Sequence, residues 1–417
     1  MKFFPIKTET ACKQKWSFSK IMLHLNKTAS CHRVIDTPFD METFNFHNTP
    51  EKIQQRETML RGEWPDGDPN PMETTCNQYC GEFERNGGRS DRQFQNSVPG
   101  AYPEALDEDA TLTSVDCTQL EVYPGNTCNL KCIYCTPLLS SPMEAELKKF
   151  GRFEKNGLVL ENYYDRPTDL DSRLERYWQW MEDHAGKLER LHLLGGEPFY
   201  DNQFDRYLDL FDRKPNQNLE FEIVTNLMIS MDRLKDYCDK LKKLIIKRKI
   251  KRVELLCSMD CWGPQQELVR SGLDLKQWEE NFKYLISQKW IKLSINGTVS
   301  VLTIKTMPAL LGKLKEWTVD RKIEHYFNMA YMPTYMDPRI LGSDEFEQSF
   351  DEIMFLMEDG THSKEHFQGI INNVKSGRLN KQEVLKLLTY LDELDNRRGT
   401  DWKTLFPWLE EYRNVVQ

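Results

Sequence analysis

Three cysteines in one short segment carry the clearest chemical information in this chain. Cys128, Cys132 and Cys135 stand in the spacing CxxxCxxC. Their thiolates could ligate three irons of a 4Fe–4S cluster and leave the fourth iron open, whereas an electron-transfer cluster normally has four cysteine ligands. The alternatives are a zinc site or three unrelated thiols, but zinc would require a fourth ligand close by. The spacing therefore favours a cluster with one iron that is free to bind a small molecule.

A glycine-rich turn follows the next apolar segment. Residues 191–194 are predicted to form a buried strand, and Gly195, Gly196, Glu197 and Pro198 come directly after it. Glycines let a backbone approach a ligand closely, although this tetrapeptide alone would be an ordinary turn. Together the two motifs resemble those of the radical SAM superfamily. In that family the open iron binds S-adenosylmethionine (SAM), and electron transfer into the sulfonium breaks its S–C5′ bond to release a 5′-deoxyadenosyl radical.

The resemblance covers roughly residues 115–335 and implies a set of site residues by position. The three cysteines would ligate the SAM-binding 4Fe–4S cluster, the backbone of Tyr134 would meet the adenine, and the Gly-Gly-Glu motif would hold the methionine end. The cofactor-binding residues that the resemblance implies are Tyr134, Gly195, Gly196, Glu197, Asn226, Ser258, Asp260, Arg270 and Val299.

Several of these positions have a second interpretation. Asn226 follows the third predicted strand, where the family often has a polar residue, but asparagine also forms turns. Ser258, Asp260 and Arg270 resemble the Ser-(Leu/Ile)-Asp-Gly…Arg pattern of peptide-modifying members, in which Ser and Arg contact SAM. Here a Cys-Trp-Gly sequence follows Asp260 in place of Gly, so the role of Asp260 stays open, and Arg270 could instead form a surface ion pair. Val299 could line the adenine or simply pack in the core.

Length and patterning predict an α/β fold with more than one domain. The 417 residues are 39% hydrophobic and 29% charged, which is sufficient for a large core. Alternating strand and helix patterns predict a parallel sheet with right-handed crossovers. The resemblance implies a partial (β/α)6, TIM-like barrel with its chemistry at the C-terminal strand ends. We expect an irregular N-terminal iron–sulfur domain over 1–110, the radical SAM core over 111–343 and a helical C-terminal domain over 344–417.

Periodicity places the elements of the core. Apolar alternation predicts strands at 118–123, 190–194, 219–224, 252–258, 292–300 and 324–330. The apolar residues of two predicted helical faces are Leu174, Tyr177, Trp178, Met181 and Ala185 in the first and Leu234, Tyr237, Cys238 and Leu241 in the second. Residues 141–144 resemble a capping box that begins at Ser141, with proline at the first helical position. A further helix is expected after Thr306 and Pro308.

Four N-terminal cysteines suggest a second metal site. Cys12, Cys31, Cys76 and Cys80 lie in a region rich in turns. No cysteine follows Cys261, which excludes a C-terminal cluster domain of the SPASM or twitch kind. The N-terminal setting resembles uncharacterised twitch domain-containing radical SAM proteins, and this resemblance implies a SPASM-like auxiliary 4Fe–4S cluster moved to the front of the barrel. A structural zinc and free thiols remain alternatives, since four cysteines suit either metal.

The remaining cysteines are expected to be structural. Cys238 and Cys257 fall within apolar patterns and should be core residues, because free cysteine behaves as a small buried hydrophobe. Cys117 is ambiguous. Cys261 should lie near the mouth of the barrel, where a thiol could donate a hydrogen atom to a product radical, although packing is the more common role.

Charge and hydropathy limit the class of protein. The net charge of −9 argues against a general nucleic-acid binder, and the basic run over 242–252 indicates a solvated helix end. No apolar run of about 18 residues exists, so no membrane span is expected. The N-terminus lacks the apolar core of a signal peptide. We therefore expect a cytoplasmic protein, and an oxygen-sensitive cluster would suit that reducing compartment.

The predicted function is reductive SAM cleavage followed by hydrogen abstraction from a substrate. By resemblance to auxiliary-cluster maturases, the substrate would be a peptide or protein, and the electron donor an external flavodoxin or ferredoxin. A nucleotide, tRNA or small metabolite remains open as substrate, because fold does not fix function. Two other classes are a non-catalytic iron–sulfur electron carrier and a zinc-stabilised interaction module.

Overall fold

Parallel strands form the centre of the computed structural model. The structure describes residues 10–32, 34, 36–65, 76–85, 89–97, 115–155, 158–159, 169–319, 321–342, 344–358 and 362–416. The strands in these residues are β1 (Phe18–Met22), β2 (Lys27–Ala29), β3 (Thr37–Pro38), β4 (Gln119–Tyr123), β5 (Lys131–Cys132), β6 (Glu154–Lys155), β7 (Leu158–Val159), β8 (Arg190–Leu193), β9 (Asn216–Thr225), β10 (Ile250–Ser258), β11 (Arg270–Ser271), β12 (Lys292–Val299) and β13 (Glu324–Met329).

The helices in the described residues lie mainly between the strands and after the last one. They are α1 (Gln14–Ser17), α2 (Pro50–Leu60), α3 (Glu82–Arg85), α4 (Asp91–Ser97), α5 (Ser141–Phe150), α6 (Leu170–His184), α7 (Gln203–Arg213), α8 (Met231–Ile246), α9 (Pro264–Val269), α10 (Leu275–Ser287), α11 (Met307–Trp317), α12 (Glu347–Leu356), α13 (His362–Lys375), α14 (Lys381–Arg398), α15 (Trp402–Leu405), α16 (Pro407–Glu410) and α17 (Arg413–Val416). Of the helices described, none is long and apolar enough to cross a membrane.

The main sheet confirms the predicted parallel strands. Its strands run β13-β12-β10-β9-β8-β4-β1-β2-β3, and neighbours from β4 to β13 pair in parallel. These six parallel strands are the six predicted from the sequence, with β9 and β10 beginning earlier than expected. Because β13 and β3 lie at opposite ends of the sheet order, the described residues form an open sheet, as a partial barrel requires.

The N-terminal region contributes to the same sheet, which the sequence pattern did not predict. Strand β1 pairs in parallel with β4, with Ile21 opposite Val122, and β2 pairs antiparallel with β1. Residues Phe18–Met22 carry only a short apolar pattern. Their strand conformation therefore depends on the edge that β4 offers, since an edge strand has unpaired N–H and C=O groups.

The two faces of the sheet differ in polarity because strand side chains alternate. One face carries Leu191, Leu193, Phe221 and Ile223, all at most 2% exposed, and packs against the helices. The predicted helical faces are confirmed, since Tyr177, Trp178 and Met181 of α6 and Leu234, Tyr237 and Cys238 of α8 are buried. The opposite face is polar, as described below with the candidate site.

The cap of α5 differs from the prediction by one residue. The capping residue is Ser140, whose side chain accepts a hydrogen bond from Met143 N, whereas Ser141 was predicted. Ser141 instead contacts the cysteine loop, with its hydroxyl accepting from Cys128 N at 3.2 Å. Ser140 therefore caps the helix, whereas Ser141 hydrogen-bonds the loop before it.

Candidate functional site

The three motif cysteines lie together in the loop between β4 and α5. Cys135 N donates to Cys132 O at 2.9 Å, and burial together with the neighbouring Cys132 and Cys128 raises the pKa of the Cys135 thiol. Burial likewise raises the pKa of Cys128 to about 12. Thiols this difficult to ionise would need a metal to become thiolates, because a metal ligand must be deprotonated.

Nitrogen donors point at two of these sulfurs. Leu130 N lies 3.5 Å and Asn226 Nδ2 3.9 Å from Cys128 Sγ, and Arg270 Nη1 lies 4.0 Å from Cys132 Sγ. Hydrogen bonds to the sulfurs are a normal part of iron–sulfur sites and help to set their potential. The donor set therefore fits three thiolate ligands of a 4Fe–4S cluster.

The described side chains do not surround a site for a single metal ion. Across the residues that the structure describes, no three or more His, Cys, Asp or Glu side chains are grouped closely enough to hold one ion.

The glycine turn after β8 is folded tightly onto the cysteine loop. Gly195 and Gly196 have φ angles of 87° and 63°, which favour glycine. A Cβ on Gly196 would collide with the Thr127 carbonyl oxygen, and one on Gly195 would lie 2.8 Å from the Tyr123 ring. Glu197 N donates to the same Thr127 oxygen at 2.8 Å. The motif therefore provides bare backbone beside the cysteines, as a close approach to a ligand requires.

Glu197 has protein partners for both carboxylate oxygens. It is 2% exposed, and it accepts from Thr225 Oγ1 at 2.7 Å, Asn226 N at 2.6 Å and Phe199 N at 3.2 Å. Burial raises its pKa to about 7, against these hydrogen bonds. In this geometry Glu197 joins the turn after β8 to the end of β9, which is a different task from the direct contact with methionine that the motif implied.

Asn226 connects the third strand of the core to the cysteine loop. Its Nδ2 donates to Asn129 Oδ1 at 2.8 Å, in addition to facing Cys128. Its Oδ1 accepts from Met228 N at 2.8 Å, which is a local turn contact. The amide therefore forms a turn through its oxygen and faces Cys128 and Asn129 through its nitrogen.

Asp260 and Arg270 form a buried, bidentate ion pair. Arg270 donates from Nε to Oδ2 at 2.9 Å and from Nη2 to Oδ1 at 2.8 Å, and Asp260 is fully buried. The Tyr134 hydroxyl donates to Oδ2 at 2.7 Å, and Thr298 N donates to Oδ1 at 2.7 Å. Burial would lower the pKa of Arg270, but the Asp260 carboxylate outweighs it and raises that pKa. The pair is internal, so the alternative of a surface ion pair for Arg270 is wrong.

The other predicted residues are buried to different depths. Ser258 lies at the end of β10 and is 5% exposed, while Val299 is fully buried in the main apolar core. Cys261 is also fully buried, with its thiol 3.4 Å from Gln266 Oε1. Packing therefore accounts for Val299 and Cys261. Cys238 and Cys257 are buried as predicted.

Sequence reasoning missed a C-terminal clamp on the cysteine loop. The Tyr390 hydroxyl donates to Ile133 O at 2.8 Å, and Arg398 Nη1 donates to Lys131 O at 2.9 Å. Arg398 also pairs with Glu146 of α5 at 2.9 Å, and both side chains are 4% exposed. Helix α14 thus fixes two carbonyls inside the motif. Contacts so distant in sequence leave no local pattern, although an arginine directly before a glycine is a recognisable helix end.

Burial and neighbouring thiols raise the pKa values of two of the four N-terminal cysteines. Burial raises the pKa of the Cys12 thiol, and the neighbouring Cys31 and Cys76 raise it further. Burial and the nearby Cys76 raise the pKa of Cys80 to about 11. Cys12 and Cys76 pack in one small apolar core, although they lie far apart in the sequence.

The surroundings of these four sulfurs contain nitrogen donors. The indole Nε1 of Trp16, which packs with Cys12 and Cys76, is buried without an acceptor in the described residues. The backbone N–H of Arg92 lies beside Cys80 and lowers the pKa of its thiol, against the larger effect of burial. A buried polar group without a partner is unfavourable, and cluster sulfur would be an acceptor for the indole. The residues present fit a metal–thiolate group.

The polar face of the sheet carries a row of charged side chains in register. Glu121, His192, Glu222 and Glu254 are opposite one another on β4, β8, β9 and β10. His192 Nδ1 lies 3.4 Å from Glu121 Oε2. Burial would raise the pKa of Glu121, but the hydrogen bond and charge of His192 lower it to about 2. Cations balance the other carboxylates, in the pairs Arg190–Glu222 and Lys292–Glu254. The strands that carry this polar face include β4, which precedes the cysteine loop, and β8, which precedes the glycine turn.

Comparisons with known proteins find structural similarity alone. No family model matches this chain, and no curated protein matches it. Among solved structures, native anSMEcpe with bound AdoMet has a TM-score of 0.35 and 16% identity, over 65% of this chain and 66% of that chain. Coproporphyrinogen III oxidase (HemN) from Escherichia coli, described as a radical SAM enzyme, has a TM-score of 0.33 and 15% identity, over 61% and 54%. The chain spans less than two thirds of either protein, and likeness at this level assigns no residue a role.

The chain's own residues give the stronger comparison. The CxxxCxxC loop follows the first strand of the parallel series, and the Gly-Gly-Glu-Pro turn follows the second strand and packs against that loop. In cysteine spacing, in this turn and in six parallel strands, the chain resembles the radical SAM superfamily.

Proposed function

We propose that this protein is a radical SAM enzyme. The observation that carries the proposal is the packing of the Gly195–Gly196 backbone onto the loop that holds Cys128, Cys132 and Cys135. When bound, a 4Fe–4S cluster and SAM would supply a 5′-deoxyadenosyl radical that abstracts hydrogen from a substrate carbon. Three thiolates would leave one iron open for SAM, and the half-buried glycine backbone would offer hydrogen bonds to its methionine end.

The protein's part is to hold and shield this site. Cys128, Cys132 and Cys135 would ligate the cluster, while Asn226 and Arg270 direct N–H groups at two of the sulfurs. Tyr390 and Arg398 fix the carbonyls of the loop, so its conformation does not depend on the cluster alone. Preorganisation of this kind lowers the reorganisation needed when the ligands bind.

A second 4Fe–4S cluster is proposed at Cys12, Cys31, Cys76 and Cys80. The support is the packing of Cys12 with Cys76, together with the indole donor of Trp16 and the Arg92 N–H beside Cys80. Four thiolates would close the cluster, which suits electron relay. A zinc ion is the competing occupant of a four-cysteine site.

The proposed substrate is a peptide or protein, acted on in the cytoplasm with a flavodoxin or ferredoxin as electron donor. The polar face of the sheet supports a substrate with hydrogen-bonding groups, because a ring nitrogen of His192 is buried there with no acceptor or donor among the described residues. A nucleotide or small polar metabolite would use the same face, and fold alone does not choose between them.

Loss of the three motif cysteines tests the function directly. The variant C128A/C132A/C135A, reconstituted without oxygen and reduced with dithionite, should release no 5′-deoxyadenosine from SAM. The matched control is Cys238→Ala, which removes a buried thiol from α8 and should keep the activity. Release of 5′-deoxyadenosine by the triple variant would refute the proposal, whatever the substrate is.

Iron analysis separates the proposal from the two non-enzymatic candidates. A zinc-stabilised interaction module would contain zinc and no iron. A non-catalytic electron carrier would contain iron but would neither bind nor cleave SAM. Wild-type protein that holds iron and turns over SAM would exclude both candidates. The electron carrier is considered because the four N-terminal cysteines could ligate a closed cluster.

A further inference from the structure

The strongest unexplained arrangement near the site is the buried pair of Asp260 and Arg270. Its guanidinium is held by two hydrogen bonds to one carboxylate. Tyr134 and Thr298 hold that carboxylate from the other side. A buried ion pair is weak evidence for stability alone, since hydrophobic residues of similar volume often do as well. Stability alone therefore does not explain this pair.

Backbone pairing fixes where the pair sits. Strand β11 pairs antiparallel with β5, and this register puts Arg270 opposite Cys132. The Ile133 N–H donates to Val269 O at 2.8 Å beside that pairing. Two of the guanidinium nitrogens face Asp260, and the third, Nη1, lies 4.0 Å from Cys132 Sγ. The arginine is thus aimed at a thiol by both its backbone and its side-chain partners.

Because of these contacts, the guanidinium of Arg270 has few N–H groups left to bind SAM. The guanidinium nitrogens are directed at Asp260 and Cys132, and the residue is 8% exposed. Arginine remains charged in proteins, so its charge at Cys132 is permanent. A cluster gains one negative charge on reduction, and a fixed positive charge with an N–H donor at a ligand sulfur stabilises the reduced state.

We propose that Arg270, positioned by Asp260, raises the reduction potential of the cluster bound at Cys128, Cys132 and Cys135. This inference rests on the proposed function and adds a regulation of the same site. Arg270 is a positioning residue here, since it acts through Cys132 and does not need to touch SAM. Asp260, whose role the sequence left open, holds the guanidinium in place.

Potentiometric titration of the SAM-free cluster, followed by EPR, tests this inference. The variant Arg270→Gln should shift the midpoint to more negative values. We expect about a tenfold lower ratio of reduced to oxidised cluster at a fixed potential, which is about 59 mV for one electron. Arg270→Lys keeps the charge without the fork geometry, so it should shift the midpoint less and in the same direction. If the glutamine variant fails to fold, the lysine variant still tests the inference.

Arg190→Gln is the matched control. It removes another arginine from an ion pair, the one with Glu222, which lies on the polar face with no thiol partner among the described residues. Its midpoint should equal that of the wild type. An unchanged midpoint in Arg270→Gln with weaker SAM binding would overturn the inference and return Arg270 to the SAM site. A wild-type protein without a reducible cluster would instead fail the proposed function itself.

Discussion

The two groups of cysteines differ in what brings their sulfurs together. The motif group occupies one loop, whose backbone is tied to β11 and to α14. The N-terminal group comes from three separated segments, which contain Cys12, Cys31, and the pair Cys76 and Cys80. The motif loop is therefore held by other elements of the protein, whereas the N-terminal cysteines come from segments far apart in the sequence.

The surrounding cores show the same contrast. The motif loop belongs to the large apolar core that runs through the sheet and its helices. Cys12 and Cys76 of the N-terminal group belong to a separate small core, together with Trp16, Met59 and Val115. A small core contributes little hydrophobic stabilisation. A metal at the proposed second site would therefore have a larger share in folding there, because its binding energy is also folding energy.

Removing two ligands from the N-terminal site should have the largest effect on the protein. Wild-type protein reconstituted without oxygen should hold about eight irons, in two 4Fe–4S clusters. The variant C76A/C80A should hold about four, and amide hydrogen exchange should accelerate in α2, because Met59 of that helix packs on these sulfurs. Elemental analysis and exchange measured by mass spectrometry check both parts.

The variant C132A/C135A is the control for this comparison. It also removes one cluster, but the contacts of Ile133 and Lys131 with other elements remain. Exchange in α5 should therefore change little. Wild-type protein with four irons and one zinc would make the N-terminal site structural, and equal effects of the two variants on exchange would remove the distinction between the sites.

Local patterns explain what the sequence could predict. The six core strands and the helical faces of α6 and α8 follow from side-chain periodicity. The turn at Gly195 and Gly196 follows from glycine, the residue type that adopts positive φ angles most readily. The Asp260–Arg270 pair was not predictable, because its residues could equally have met SAM. The pairing of β1 with β4 was not predictable either, since a short strand depends on its neighbour.

Breaking the clamp on the motif loop should make the first site resemble the second. In Arg398→Ala, Glu146 loses one of its two cationic partners and keeps Lys131 at 2.9 Å, so the loss should cost about 1–3 kcal/mol, the range for a charge-assisted hydrogen bond. The carbonyl of Lys131 also loses its donor. Chemical denaturation should show this loss of stability, and the iron content of the motif site should then depend more strongly on the reconstitution conditions.

The double variant E146L/R398M separates charge from packing. Replacing both members of a buried pair by apolar residues is often close to neutral, so most of the stability should return. The donor to Lys131 would still be missing. Full recovery of stability without recovery of iron content would show that the hydrogen bond to the loop, rather than the ion pair, prepares the cysteines for the cluster.

The smallest expected effect distinguishes the two serines before α5. Ser140 Oγ accepts from Met143 N and donates to Leu130 O at 2.7 Å. Ser140→Ala should therefore destabilise the protein by about 1–2 kcal/mol, the range for a lost helix cap. Ser141→Ala keeps the cap and removes only the contacts with Cys128, so it should change the cluster's EPR signal more than the unfolding free energy. If Ser141→Ala were instead the more destabilising change, the helix would begin at Ser141, and the loop at Cys128 would have one support fewer than its contacts indicate.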